Sequence, residues 1–170
     1  LFANAKALIF VGTYINSDEA QRYFELGLKL LDREISEQFL DDGGHFELSP
    51  MYHVILLWDL MELFDLAVTC NNKILIERTS YWKTIAQKSL NWLSNMQHPD
   101  GEISFFNDSS FGIAAKPAKV FEYAANLGLQ WRKTETALET LSDSGYTRIN
   151  NGDYCLIFDH ANVGPDYLPG

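Results

Sequence analysis

Asp41-Asp42-Gly43-Gly44-His45-Phe46-Glu47-Leu48-Ser49-Pro50-Met51-Tyr52-His53 lies between two long stretches of helical apolar periodicity and dictates how the chain passes from one to the other. Gly43-Gly44 breaks the first pattern. Ser49 can accept hydrogen bonds from free first-turn amides, and Pro50 suits the first helical position, where its missing N–H has no partner to lose. Met51, Tyr52 and His53 then fall in the first turn of a long helix, at the positive end of its dipole. A tyrosine so placed can meet an anion and take part in a proton transfer.

Working outward, residues 1–14 read as the tail of a helix, with Phe2, Leu8, Ile9 and Val11 apolar. Ser17 caps a second helix that carries Asp18 and Glu19 in its first turn and apolar residues at Phe24, Leu28, Leu31, Ile35 and Phe39. Residues 50–68 form a third helix dense in Leu, Ile, Trp and Phe, and residues 80–96 a fourth. His98-Pro99-Asp100-Gly101 is a turn, residues 102–112 a loop, and residues 117–127 a fifth helix. A further helical stretch is expected near 133–141. From Asp143 the character changes: residues 146–149 and 154–158 are β-rich and flank Asn150-Asn151-Gly152-Asp153, a strong hairpin signal. A boundary is expected near Ser142, with helices over 1–142 and the start of a β-domain over 143–170. Long helices joined by short loops imply antiparallel helical hairpins, which can close into a bundle or curve into a solenoid or toroid. No fixed repeat period is present, which disfavours tetratricopeptide and armadillo arrays.

At 170 residues and 46% hydrophobic content, the chain can bury a sizeable core. No apolar run is long enough to span a membrane. Cys70 and Cys155, far apart, give neither a disulfide framework nor metal-ligand spacing. A net charge of −10 argues against nucleic acid as a partner. It also means that a polyanionic substrate would require a local positive groove. The first residue is Leu, no signal peptide is visible, and residues 164–170 read as loop. The chain is therefore expected to be an excerpt of a longer protein.

Candidate chemistry concentrates near the third helix. Tyr52 shares a face with Ile55, Asp59 and Glu62, a mixed edge, whereas His53 aligns with Leu57, Leu60 and Phe64. His53 thus reads as a packed histidine, and Tyr52 as either a catalytic group or a tyrosine bridging core and solvent. His45 and Glu47 alternate along an extended stretch. They can contact substrate, or Glu47 can support the helix N-terminus. Two ligands without a third make a weak metal site. Asn107-Asp108, beside Phe105, Phe106 and Phe111, can line a sugar-binding groove or form an Asx turn, and sequence alone favours the turn. Nucleophile motifs and phosphate-binding glycine loops are absent.

Asp42-Gly43-Gly44-His45-Phe46-Glu47 followed by Ser49-Pro50-x-Tyr52-His53 resembles the heparinase II/III-like polysaccharide lyases. The likeness continues through His98-Pro99-Asp100-Gly101-Glu102-Ile103-x-Phe105-Phe106-Asn107-Asp108, Asp143-Ser144-Gly145-Tyr146 and residues 163–170 (VGPDYLPG). The resemblance implies a mainly α fold, antiparallel helical hairpins of an incomplete (α/α) toroid, followed by the first antiparallel strands of a β-sandwich domain. It also implies β-elimination at uronic acids of an acidic polysaccharide, heparan sulfate-like or alginate-like. By motif position Tyr52 corresponds to the family's catalytic tyrosine. A free tyrosine, with a pKa of about 10, holds at neutral pH the proton a general acid must donate; acting as base would require roughly 4 kcal/mol of differential stabilisation. Acid is therefore the favoured role. His45, Glu47, Asn107 and Asp108 are the candidate substrate contacts.

The same resemblance implies a carboxylate-facing Asn-His pair before Leu1 and a His-rich motif with base candidate and metal ligands after Gly170. No metal is expected within this chain; the resemblance allows a divalent metal in the part of the β-sandwich beyond it. The chain alone is expected to be inactive as a lyase. Periplasmic or secreted localisation is implied, and oligomeric state is left open. The alternatives are a non-catalytic acidic-glycan-binding or polysaccharide-assembly module and a toroidal glycosidase using two of Glu47, Asp59, Glu62 and Asp108.

Overall fold

A computed structural model describes residues 1–133 and 137–162. Six helices precede a three-stranded antiparallel sheet: α1 (Phe2–Tyr14), α2 (Asp18–Gln38), α3 (Pro50–Thr69), α4 (Lys73–Ile76), α5 (Thr79–Asn95), α6 (Pro117–Asn126), then β1 (Leu138–Leu141), β2 (Tyr146–Asn150) and β3 (Cys155–Asp159). This is the mainly α arrangement of helical hairpins leading into antiparallel strands that the sequence implies.

Each helix forms for a local reason. Ser17 Oγ accepts from the Ala20 amide at 3.1 Å and caps α2. The buried residues of α2, including Phe24, Leu28, Leu31 and Ile35, repeat at the helical period. α1 lies so close to α2 that a Cβ added to Gly12 would stand 2.4 Å from Phe24 Cβ and 2.7 Å from the Ala20 carbonyl. α3 is apolar on nearly all sides and buries Met51, Val54, Leu57, Leu60, Met61, Leu63, Phe64, Leu66 and Ala67. Such a helix is stable only when surrounded, and α3 packs against α1, α5 and α6. Short α4, unsignalled by periodicity, is capped by Asn72 Oδ1, which accepts from the Ile74 and Leu75 amides.

The helical stretch expected near 133–141 is corrected. Leu138–Leu141 is a strand, paired from Leu138↔Ile149 to Leu141↔Tyr146, and residues 134–136 lie outside the described residues. Pairing with β2 prevails over the weak helical pattern of Leu-Glu-Thr-Leu, because four residues cannot bury a helical stripe but can complete a ladder. The expected hairpin forms, with β2 and β3 joined through Asn151–Tyr154 in the register Asn150↔Cys155. Ser142 lies in the turn between β1 and β2.

Two apolar clusters hold the molecule together. The main one is built around α3. The second joins helix to sheet: Trp92 and Met96 from the end of α5 meet Leu141 and Tyr146 from the strands, with Leu48, Phe106 and Ile157 packed against them. Trp92 and Tyr146 are fully buried and their rings meet edge to face at 6.0 Å. No described helix is long and apolar enough to cross a membrane.

Candidate active site at the start of the central helix

The first turn of α3 is capped twice. Ser49 Oγ accepts from the Tyr52 amide at 3.4 Å, and Ser109 Oγ, from the distant loop, accepts from the Met51 amide at 3.2 Å. The two hydroxyls also bond each other at 3.0 Å. The amides that sequence reasoning offered to an anion are thus partly satisfied by serines. Ser109 was missed because nothing in a Ser-Ser loop pair announces a partner 58 residues away.

The residues before the cap are held in an unfavourable backbone conformation. Leu48 has φ +57°, a region that costs a non-glycine residue about 1–3 kcal/mol. Its carbonyl accepts from Asn107 Nδ2 at 3.1 Å and from the Tyr146 hydroxyl at 2.7 Å. Asn107 Nδ2 also donates to the Glu47 carbonyl at 3.2 Å. Asn107 is itself left-handed at φ +48°, which its short amide tolerates. Glu47, Asn107 and Asp108 are therefore brought together beside the turn that carries Tyr52. Burial, followed by the charge of Asp108, pushes the Glu47 carboxyl up. The Asn107 side chain is a strut between two loops, its Nδ2 bonded to both the Glu47 and Leu48 carbonyls.

Tyr52 is half-buried, its ring against the main core, and its hydroxyl makes no hydrogen bond among the described residues. Along the same face, Lys6 of α1 bonds both Asp59 and Glu62. These two carboxylates share one cation and are not a free acid–base pair.

The two histidines lie beneath. His53 is completely buried; Nε2 donates to the Ser89 carbonyl at 3.0 Å, and its ring lies 4.4 Å from that of Trp92. Burial, then the neighbouring His45, lowers its pKa to about 3, so it packs as a neutral ring. His45, expected among the substrate contacts, is only 2% exposed and faces protein in this chain. Burial lowers its pKa to about 4, and neither ring nitrogen has a hydrogen-bond partner among the described residues. Those residues contain no converging set of three metal-ligand side chains.

Asp42 and the Gly-Gly pair tie this region to the sheet. Asp42 Oδ2 accepts from the Asp143 amide at 3.1 Å, the Ser144 amide at 2.7 Å and the Ser144 hydroxyl at 2.8 Å; Oδ1 accepts from the Gly44 amide. Trp92 Nε1 donates to Ser144 Oγ at 2.8 Å. A Cβ on Gly44 would stand 2.6 Å from Trp92 Nε1, so the glycine serves close approach as well as the turn. The signal for this latch was present in Asp42-Gly43-Gly44 and Asp143-Ser144-Gly145-Tyr146. Only the fold reveals that the two segments touch.

Helical hairpins latched to an antiparallel sheet, beside a polar helix start that bears a tyrosine, define the class: a mainly α body leading into antiparallel strands. The family model for the Heparinase II/III N-terminus matches residues 1–127. The chain belongs to the heparinase II/III family. It is 27% identical to a heparin-sulfate lyase of Pedobacter heparinus over 165 residues, covering 87% of this chain and 24% of that protein. A heparin-sulfate lyase of Bacteroides thetaiotaomicron is 26% identical, over 64% of this chain and 16% of that protein. The solved structure of a heparan sulfate lyase mutant from Pedobacter heparinus shares the fold at TM-score 0.66 and 23% identity, over 90% of this chain and 26% of that one. The chain thus spans about a quarter or less of the length of these relatives.

Proposed function

We propose that this chain is part of a polysaccharide lyase that cleaves a uronic-acid-containing polysaccharide by β-elimination, with Tyr52 as general acid. In that reaction a base removes the C5 proton of the uronate, the C4–O4 bond breaks to leave a C4=C5 double bond, and the Tyr52 hydroxyl gives its proton to the departing O4. Base and carboxylate-neutralising groups come from outside this chain. A divalent metal, if the intact protein uses one, finds its ligands there too. The observation that carries this reading is the half-buried Tyr52, hydroxyl unpartnered among the described residues, in a doubly capped first turn. Strain at Leu48, clamped from two distant elements, is a usual mark of a positioned site. On the loop that also carries Asn107 and Asp108, the Phe105 and Phe111 rings, 4.2 Å apart and each more than half exposed, offer apolar faces for a sugar ring. Glu47 and Asp108 supply hydrogen-bond acceptors for hydroxyls. The family relatives carry the substrate class, with heparan sulfate ranked before alginate.

The test uses the full-length protein on heparan sulfate, alginate and hyaluronan, read by ultraviolet absorbance of the unsaturated product. Tyr52→Phe is expected to lower kcat by about 10²–10⁴-fold with little change in binding. A Tyr52→Phe enzyme with undiminished kcat excludes the acid role, and binding without product favours a non-catalytic glycan module.

A further inference from the structure

Arg148 on β2 is a buried cation that makes no ion pair among the described residues. It is 8% exposed, and among the described residues no carboxylate lies within 4.0 Å of its guanidinium. Nη1 donates to the Gln97 carbonyl at 2.9 Å, and Nε is buried without a hydrogen-bond partner among the described residues. Its cross-strand neighbour on β1 is Glu139, which lines a different groove. A buried guanidinium satisfied by one neutral carbonyl is costly unless a further acceptor is present.

The guanidinium borders a pocket of about 370 Å³ between the His98–Gly101 turn, the end of α5 and β2, within the size range of small-ligand sites. Ser94, Gln97, His98, Lys133, Arg148 and Asn150 line it, and no Asp or Glu among the described residues does. In a chain with 23 acidic against 13 basic residues, a pocket whose described lining holds two cations and no acid stands out. The adjoining groove of about 650 Å³ is different: Asp41, Asp42 and Glu139 balance Lys88, Arg132 and Lys133. Arg148 sits deep, with a planar fork suited to two oxygens of one group, while Lys133 is an exposed cation at the rim.

We propose that this pocket is an oxyanion-binding site, taking a sulfate or carboxylate group, with Arg148 as its floor and Lys133 as its rim. It uses none of the residues around Tyr52. The charge pattern also supplies the local positive surface that an acidic chain needs in order to hold a polyanion. The group can arrive free or as a substituent of an acidic saccharide.

The experiment is calorimetric titration of the full-length protein with sodium sulfate at constant ionic strength, with chloride as reference. Parallel arms use a sulfated glucosamine–uronate tetrasaccharide and its desulfated counterpart. Saturable one-to-one sulfate binding is expected, weakened about tenfold by Lys133→Gln, an exposed position outside the core. Arg148→Gln should abolish it, and a thermal-unfolding shift with sulfate should vanish in both variants. A sulfated tetrasaccharide that binds more tightly than sulfate, competes with it and loses affinity in Lys133→Gln identifies the saccharide as the source. Sulfate binding without tetrasaccharide binding identifies the free anion. No saturable binding beyond chloride, or equal affinity in wild type and Lys133→Gln, overturns the site. Because binding rather than product is read, this outcome is independent of the lyase reading.

Discussion

His45 and His53 make the start of α3 sensitive to acid. Their folded pKa values, about 4 and about 3, lie below the 6.5 of an ordinary histidine, because burial opposes the charged ring. The unfolded chain therefore binds protons that the native chain refuses. The stability contribution is complete above about pH 6.5 and is lost as pH falls toward the folded values. At pH 5.5 the loss is about 1.4 kcal/mol per histidine. Denaturation midpoints at pH 7.5 and 5.5 measure it, and His53→Gln should roughly halve the pH dependence relative to its own pH 7.5 value. Equal midpoints at the two pH values in the wild type would show that the rings are not held neutral. The same burial holds both rings neutral near pH 7.

At the scale of elements, the closeness of α1 and α2 rests on glycine. In an exposed helix Gly→Ala stabilises by about 1 kcal/mol. At Gly12 the new methyl group would meet Phe24 Cβ and the Ala20 carbonyl well inside contact distance. Gly12→Ala is therefore expected to destabilise, by about 1–3 kcal/mol of overpacking, with a fall in Tm. A rise in Tm would show that the helices can separate freely. The start of α3 offers a second check. Ser109→Ala removes one of its two caps, at a cost of about 1 kcal/mol. It also releases the loop bearing Asn107 and Asp108, so hydrogen exchange should quicken at the Met51 and Ser109 amides while those in the middle of α3 are unchanged.

At the scale of the molecule, Asp42 is the latch between helices and sheet. One carboxylate accepts hydrogen bonds from Gly44, Asp143 and Ser144, and Ser144 in turn receives the Trp92 N–H. Hydrogen bonds to a charged acceptor contribute about 1.5–3 kcal/mol each at most. Asp42→Ala is expected to lower stability by about 2–4 kcal/mol, with exchange at β2 amides accelerated far more than in α3. Uniform acceleration would mean that the sheet has no separate opening step. The apolar contact of Trp92 with Tyr146 would then be the stronger tie. The 170-residue chain on its own is further expected to give no unsaturated product.

The sequence by itself determined the helices, the hairpin and the family motif, because each is written in neighbouring residues: the period of Phe24, Leu28, Leu31 and Ile35, the cap at Ser49-Pro50, the turn Asn150-Asn151-Gly152-Asp153. It also separated Tyr52 from His53 by helix face, and the buried His53 agrees with that separation. What only the tertiary structure decided depends on contacts between residues far apart in the chain. Leu138–Leu141 became a strand because β2 was there to pair with it. Asn107 became a strut because Glu47 and Leu48 present carbonyls to it. His45 became a buried ring, and Arg148 a buried cation bordering a pocket with no acid among its described lining. Local propensity acts over one turn of helix or one hairpin; the environment of a charged or imidazole side chain is set by whatever the rest of the chain folds against it.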